Sequence, residues 1–331
     1  MKKALFWEKQ KGLVNCRLCY RNCKITESSF GFCGARKSDN GILYSVNYGQ
    51  VCALNLDPIE KKPFYHFHPG ASALSVASPG CNFRCLHCQN YEISQPSVVP
   101  CESVSPKQVV DEALREKAPI VAYTYTEPTI FYEYARDIGV EVRKRGLLNV
   151  FVTNGYMQKE PVNDAAKTFL DAVRIDLKGE EEHYKKVCGN VKLDHVFDCI
   201  TDYYKAMHVE IITLVIPGDN DNKAFVDRMA CFLSGLKKGD DIPWHFIGFH
   251  PDYKMMRTPA TPVRTLEKMH GWATNAGMNY VYTGNVKSEF NNTYCPNCGA
   301  LLIVREGYSV VSNSIERGKC PKCRAKIPVL S

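Results

Sequence analysis

The chain alternates short β-branched runs with helical patterns from residue 71 to residue 286. Seven runs predict strands, at residues 71–78, 120–126, 149–154, 172–178, 209–216, 244–250 and 279–285. Amphipathic stretches between them, such as 127–145, predict helices. Strand-then-helix units repeated about six times imply an α/β fold with a parallel sheet, closed or partly closed as a barrel. Ligands of such sheets bind at the carboxyl ends of the strands.

The two flanks differ from this central region. Residues 1–70 hold a cluster of four cysteines (16, 19, 23 and 33) in an irregular stretch punctuated by Gly and Pro, and residues 291–331 hold another four in a turn-rich segment. Neither flank is long enough for a large core, so bound metal would compensate. We predict an N-terminal four-cysteine extension (1–70), a central domain (71–290) and a C-terminal zinc-ribbon-like domain (291–331).

Cysteine usage and charge bear on compartment and partners. No apolar run approaches the roughly 18–20 residues that span a bilayer, and the N-terminus lacks the apolar stretch of a signal peptide. We therefore expect a cytoplasmic protein without membrane contact, in which the sixteen cysteines more often bind metal than form disulfides. The formal charge of +7 falls to roughly +2 once metal-bound thiolates are counted. This charge is a weak argument for nucleic acid, which stays an open partner class.

Three cysteines, Cys81, Cys85 and Cys88, follow the first predicted strand at C-x3-C-x2-C spacing. Three thiolates can ligate three irons of a [4Fe–4S] cluster and leave the fourth open. An open iron suits the amino and carboxylate groups of S-adenosylmethionine (SAM), and an electron from the cluster would cleave its sulfonium to give a 5′-deoxyadenosyl radical. The alternative is a zinc site completed by His87 or a distant residue.

Motifs over nearly the whole chain resemble the radical SAM superfamily, and within it the radical SAM member of the AmmeMemoRadiSam system. That subgroup is itself similar to pyruvate formate-lyase activating enzymes. The segments that carry the resemblance are YGQVCALNLDPIEKKPFYHFHPG (48–70), CNFRCLHCQNYEISQ (81–95), TYTEPTIFYE (124–133), VTNGY (152–156), RIDLKG (174–179), LVIPGDND (214–221) and TGNV (283–286). The resemblance implies a partial (β/α)6 barrel, one SAM-bound [4Fe–4S] cluster and radical chemistry.

The resemblance also implies residues that position SAM. These are Glu127, Asn154, Asp176, Lys178 and His250. Asp176 and Lys178 lie two apart on a predicted strand and so share one face, where a structural ion pair is the alternative. Activating enzymes carry Gly-Gly before the Glu-Pro that matches Glu127, whereas this chain has Tyr125 and Thr126. Because glycines allow close backbone approach, this departure puts the backbone contact to SAM's amino group in question.

Two further clusters have four cysteines each. Cys295, Cys298, Cys320 and Cys323 form two C-x2-C knuckles, and four ligands close a site, which predicts structural zinc. Cys16, Cys19, Cys23 and Cys33 suit zinc or a second iron–sulfur cluster, and we favour zinc slightly. The five scattered cysteines (52, 101, 188, 199 and 231) are expected to be buried thiols.

The leading functional hypothesis is a radical SAM enzyme whose substrate the sequence does not identify. Its implied partners are Memo-like and AMMECR-like proteins, together with a one-electron donor such as ferredoxin or flavodoxin. Alternatives are a glycyl-radical enzyme activase, a radical modifier of another protein or of RNA, and a non-catalytic, zinc-stapled binding protein.

Overall fold

The computed structural model describes residues 1–10, 12–95 and 98–331. These residues group into two compact units, each of which is treated by itself. The first comprises residues 1–57, 72–173 and 187–208, and the second comprises residues 58–71, 174–186 and 209–331.

The N-terminal part of the first unit consists of short strands. They are β1 (Lys2–Lys3), β2 (Trp7–Gln10), β3 (Leu13–Cys16), β4 (Lys24–Ile25), β5 (Arg36–Asp39), β6 (Ile42–Ser45) and β7 (Gln50–Val51). β2, β3 and β4 form one antiparallel sheet, and β1, β6 and β5 form another. Cys16 ends β3, and Cys19, Cys23 and Cys33 lie in the connections that follow, so the thiols are presented by a strand end and by loops rather than by a helix.

The first unit continues with strand–helix repeats. Its elements are β8 (Ala53–Pro58), β9 (Ser72–Ala77), α1 (Tyr91–Ser94), β10 (Glu102–Ser103), α2 (Pro106–Arg115), β11 (Ile120–Tyr123), α3 (Tyr132–Lys144), β12 (Leu148–Thr153), α4 (Lys159–Thr168) and the start of β13 (Ala172–Asp176), with a 3₁₀ turn at Pro128–Phe131. The 3₁₀ turn at Ile59–Lys61 and β13 from residue 174 onward belong to the second unit. β9, β11 and β12 are parallel neighbours in register, with Val76 opposite Tyr123 and Tyr123 opposite Phe151. Helix α2 begins where Ser105 and Gln108 form a capping box, which satisfies orphan backbone donors.

The remaining elements lie mostly in the second unit. They are α5 (Glu181–Lys186), α6 (Leu193–Ala206, in the first unit), β14 (His208–Val215), α7 (Lys223–Ser234), β15 (Trp244–Gly248), α8 (Val263–Asn275), β16 (Val281–Gly284), β17 (Thr293–Tyr294), β18 (Leu301–Glu306) and β19 (Ser309–Asn313), with 3₁₀ turns at Gly239–Asp241 and Glu289–Asn291. β14, β15 and β16 are parallel neighbours, and β17, β18 and β19 form a separate antiparallel sheet.

A buried polar network lies near the amino ends of β14 and β15. The Glu210 carboxylate accepts hydrogen bonds from the backbone N–H groups of Tyr65 (2.9 Å) and His66 (2.8 Å) and lies 2.8 Å from Nε2 of His245. The His66 ring lies 2.7 Å from the Tyr282 hydroxyl. Ligands of parallel sheets bind at the carboxyl ends of the strands, so a network at the amino ends indicates a structural role. It also gives His66, for which the sequence offered no role, a place in the packing.

The structure confirms an α/β fold with a mainly parallel sheet. Each of the seven predicted strands is present, as β9 and β11 to β16, and helices lie between them. No helix in the described part of the chain combines the length and apolarity that a bilayer crossing requires.

Candidate metal and cofactor site

The three-cysteine loop follows the carboxyl end of β9, where a parallel sheet places its ligands. The Phe83 N–H points at the Cys81 sulfur (3.3 Å), and Arg84 Nη1 donates to the Cys81 carbonyl (2.7 Å). Cys85 is buried, whereas Cys88 is partly exposed and lies 3.2 Å from the Ser94 hydroxyl. Burial raises the pKa of the Cys81 thiol well above its ordinary value. The thiol therefore stays protonated until a metal centre supplies compensating positive charge.

The structure brings Cys188 to this loop. The Arg84 and Leu86 N–H groups donate to the carbonyls of Cys188 and Val187 (3.1 and 2.9 Å), and the ligand atoms of Cys85, His87 and Cys188 lie within 4.8 Å of one another. This group is a candidate set for a single metal ion that differs from the predicted alternative, because it includes one of the three loop cysteines together with both His87 and the distant Cys188.

The expectation that the scattered cysteines are buried is wrong for Cys231, which is exposed, and for Cys52 and Cys101, which are partly exposed. It holds for Cys188 and Cys199. Cys231 lies on the outer face of α7, where a solvent-facing position carries no requirement for burial.

Glu127 lies just beyond β11 and is 2% exposed. Its Oε1 accepts hydrogen bonds from the Thr129 N–H (3.0 Å) and from the hydroxyls of Thr129 (2.6 Å) and Thr153 (2.7 Å). Its Oε2 accepts one from the Asn154 N–H (2.8 Å). Burial raises the pKa of Glu127, and these hydrogen bonds oppose that rise. The carboxylate joins the ends of β11 and β12, which makes it a positioning group for Asn154.

Asn154 connects this carboxylate to the cysteine loop. Its Nδ2 donates to Oδ1 of Asn82 (2.7 Å) and lies 3.8 Å from the Cys81 sulfur. Its Oδ1, and the hydroxyl of Ser78 beyond β9, are buried without a hydrogen-bond partner among the described residues. Orphaned buried oxygens cost free energy, so they fit a bound group that brings donors such as ammonium or hydroxyl.

Tyr125 is the residue that the sequence resemblance aligns with the first of the two glycines of activating enzymes. It takes a left-handed backbone, with φ of 64°, which is the conformation that glycine adopts most easily. Its hydroxyl donates to Asp57, and its carbonyl accepts from Asn90 Nδ2 (2.9 Å). Although Tyr125 is not a glycine, its backbone at the edge of the site has the left-handed conformation typical of glycine, and this conformation strains a non-glycine residue.

In the second unit, Asp176 and Lys178 lie at the end of β13. Lys178 Nζ contacts Asp176 Oδ2 at 2.6 Å, and Arg174 Nη1 contacts the other carboxylate oxygen. The sequence reasoning missed Arg174, although the period of two that paired Asp176 with Lys178 includes it.

His250 lies two residues past β15, as expected, and its side chain is exposed, with Nδ1 3.5 Å from the Pro251 carbonyl.

The four C-terminal cysteines converge. Cys295 and Cys323 have sulfur atoms 3.6 Å apart, Cys298 and Cys320 have theirs 3.7 Å apart, and all four lie within 4.8 Å of one another. A single tetrahedral ion with metal–sulfur bonds of about 2.3 Å places its sulfur ligands about 3.8 Å apart. This set therefore has the geometry for one metal ion.

The four N-terminal cysteines line one cavity in the first unit, as the sequence grouped them. Cys16, Cys19, Cys23 and Cys33 share its wall with Arg36 and Asn82. Burial raises the pKa of Cys16 to about 11, so its thiol is neutral in the absence of metal.

A family model described as "Radical SAM superfamily" matches residues 75–228. The chain is 43% identical over 339 residues, covering all of both proteins, to "Uncharacterized protein MJ0808" of Methanocaldococcus jannaschii. Streptococcus suis SuiB bound to precursor peptide SuiA has a TM-score of 0.50 and 13% identity, over 69% of this chain and 51% of that one. A domain of a pyruvate-formate lyase-activating enzyme from Bacteroides vulgatus has a TM-score of 0.44 and 19% identity, over 50% of this chain and 98% of that one. The matched residues include the three-cysteine loop, Glu127, Asn154, Asp176 and Lys178.

Proposed function

Because this chain belongs to the radical SAM superfamily, we propose that it is an enzyme that cleaves SAM by a radical mechanism and abstracts hydrogen from a substrate. The observation that supports this most is the three-cysteine loop at the end of β9, beside the orphaned buried oxygens of Ser78 and Asn154. The bound cluster and SAM would together supply one-electron cleavage of the sulfonium to methionine and a 5′-deoxyadenosyl radical.

The residues of the first unit have separate roles in this proposal. Cys81, Cys85 and Cys88 hold the cluster. Asn154 offers its side-chain Oδ1, which has no hydrogen-bond partner among the described residues, to a donor of SAM, and Glu127 fixes Asn154 by accepting from its backbone N–H (2.8 Å). The orientation of Asn154 thus depends on a carboxylate that itself need not touch the cofactor.

In the second unit, we propose that Asp176, Lys178 and His250 contact polar groups of SAM. Asp176 is held between Lys178 and Arg174, so a carboxylate on this face keeps a fixed orientation. His250 is exposed and lies at the end of a strand where ligands of parallel sheets bind.

Finer assignments rest on the sequence motifs. We propose membership of the AmmeMemoRadiSam subgroup, a partial (β/α)6 barrel, a cytoplasmic location, and action alongside Memo-like and AMMECR-like proteins with a ferredoxin or flavodoxin as electron donor. We also propose that the C-terminal cysteines bind zinc, because their sulfur spacing suits one tetrahedral ion.

The substrate distinguishes the enzymatic alternatives. A glycyl-radical activase or another protein or RNA modifier would act on a macromolecule, whereas a metabolic enzyme would act on a small molecule. The non-catalytic binding protein has one observation in its favour, the Cys85, His87 and Cys188 set that could hold a single ion.

The test is 5′-deoxyadenosine formation by anaerobically reconstituted protein with SAM and a strong reductant, alone and with the macromolecular or small-molecule fraction of a cell extract. We expect 5′-deoxyadenosine, with one fraction stimulating it and thereby indicating the substrate class. Cys85→Ala should abolish the product, whereas the exposed Cys231→Ser should leave it unchanged. An intact cluster in the unaltered chain without 5′-deoxyadenosine in any sample would refute the proposal in favour of the binding protein.

A further inference from the structure

The cavity lined by the four N-terminal cysteines contains donors that lack acceptors. Arg36 is 2% exposed and Asn82 is fully buried. Arg36 Nε and Nη2 and Asn82 Nδ2 have no hydrogen-bond partner within the described ranges. Leaving such donors unsatisfied costs about 1–3 kcal/mol each, and more for a charged group. The wall therefore suits an anionic occupant that carries acceptor atoms.

The spacing of the thiols distinguishes this cavity from the C-terminal site. The four C-terminal sulfur atoms all lie within 4.8 Å of one another, as ligands of one ion must. In the described residues, no three of Cys16, Cys19, Cys23 and Cys33 form a group that meets the same distance. Thiolates that bind different irons of one cluster lie farther apart than thiolates that share a single ion.

From these two observations we infer that the N-terminal cavity binds an iron–sulfur cluster rather than zinc. Its four thiolates would ligate the irons, and its sulfides would accept hydrogen bonds from Arg36 and Asn82. Arg36 Nη1 is paired with Glu133 Oε1 (2.7 Å), so its contribution to the cluster would be the two N–H groups at Nε and Nη2, which donate no hydrogen bond to any described residue. The inference does not rest on the proposed SAM chemistry.

The same cavity adjoins the three-cysteine loop. Asn82 lines the cavity, and its Oδ1 lies 4.0 Å from the Cys81 sulfur. Arg84 donates to the Phe32 carbonyl (2.5 Å), and Arg21 donates to the Asn82 carbonyl (2.9 Å). A Cβ on Gly80 would lie 2.8 Å from the Cys33 carbonyl oxygen, so the two segments approach too closely for a side chain there. Two clusters would then be neighbours, separated by Asn82.

The experiment counts metals in a variant that lacks the loop thiols. Cys81→Ala/Cys85→Ala/Cys88→Ala protein is reconstituted anaerobically with iron and sulfide, and iron, sulfide and zinc are measured. We expect about four iron and four sulfide ions per chain. Adding Cys16→Ser/Cys33→Ser should remove them, whereas adding the matched control Cys231→Ser should not. About two zinc ions per chain and no iron would overturn the inference, as would no metal beyond a single C-terminal ion.

A second measurement does not depend on any substitution. Native mass spectrometry of the unaltered chain should show the mass of two clusters and one zinc, and the mass of one cluster and two zinc ions would overturn the inference. Electron paramagnetic resonance tests the adjacency. The fully reduced chain should give a spectrum broadened by coupling between the clusters, and a simple sum of the two single-cluster spectra would contradict their being neighbours. Absence of 5′-deoxyadenosine would refute the proposed function and leave these results unaffected.

Discussion

Replacing Glu133 by Gln should destabilise the protein by an amount that depends on metal in the N-terminal cavity. Arg36 Nη1 contacts Glu133 Oε1 at 2.7 Å, and both side chains are 2% exposed. Glu133 also accepts from the Leu5 N–H (2.7 Å), a hydrogen bond that the Gln carbonyl can keep. The substitution therefore removes the countercharge of Arg36 with little change of shape. Removing one partner of a buried ion pair costs about 3–5 kcal/mol.

The metal-free and metal-loaded states should differ in this cost. Without metal the neighbouring Cys16 thiol is neutral, because burial raises its pKa to about 11. The Arg36 charge is then uncompensated, and the full cost of about 3–5 kcal/mol applies. With metal the anionic centre faces Arg36, so the cost should fall to about 1–2 kcal/mol, that of a weakened charge-assisted hydrogen bond.

Anaerobic thermal unfolding of both states measures this difference. At roughly 2 °C per kcal/mol for a chain of this size, Glu133→Gln should lower Tm by about 6–10 °C without metal and by about 2–4 °C with it. Glu316→Gln is the matched control, because Glu316 pairs with Arg324 on the exposed surface, where such pairs contribute about 0–1 kcal/mol. Equal losses of Tm for Glu133→Gln in the two states would refute the electrostatic link between Arg36 and the cavity.

Three further predictions concern other parts of the chain. Glu127→Gln should cost about 1–3 kcal/mol and weaken SAM binding in calorimetry, because one donor loses its acceptor and Asn154 loses its anchor; unchanged Tm and affinity would contradict this. Cys320→Ser should lose one metal ion per chain by elemental analysis while Cys231→Ser keeps it, and equal retention would exclude the C-terminal site. Burial lowers the pKa of His270 from 6.5 to about 4, so its neutral form stabilises the fold fully above pH 6.5 and this contribution is lost as pH falls toward 4. Between pH 6.5 and pH 4 the free energy of unfolding of the wild type should fall by roughly 2 kcal/mol more than that of His270→Gln, which Tm values measured across this pH range can show. Parallel pH profiles of Tm for the two proteins would contradict the assignment.

The strands and the cysteine loop were predictable because their signals are local. β-branched runs with short turns give β9 and β11 to β16, and the spacing of Cys81, Cys85 and Cys88 marks the three-cysteine loop without any tertiary information. The face shared by Asp176 and Lys178 also follows from the period of a strand. Arg174 lies two residues before Asp176 on the same strand, so the same period also predicts that it shares this face.

Other parts of the site depend on tertiary contacts that no local pattern records. Cys188 reaches the loop because its carbonyl and that of Val187 accept backbone hydrogen bonds from Arg84 and Leu86, and no spacing rule links it to Cys85. The four hydrogen bonds of Glu127 join two strand ends, so its positioning role appears only when the sheet is assembled. The predicted boundaries at residues 70 and 290 stay predictions.

Tyr125 is the position where the sequence put a backbone contact in question, and its φ of 64° shows that its backbone takes the left-handed conformation that glycine adopts most easily. A left-handed backbone costs a non-glycine residue roughly 1–2 kcal/mol, and a β-branched residue more. If the backbone conformation is what the site requires, Tyr125→Gly should keep 5′-deoxyadenosine formation within roughly threefold of wild type, because glycine adopts this conformation without strain. Tyr125→Val should lose more than about tenfold, since its branched Cβ opposes the left-handed turn and displaces the carbonyl that accepts from Asn90. Tyr125→Phe separates the hydroxyl contact to Asp57 from the backbone effect. Equal losses in the Gly and Val variants, with a similar loss in Phe, would show that the phenol hydroxyl rather than the backbone is what the site uses.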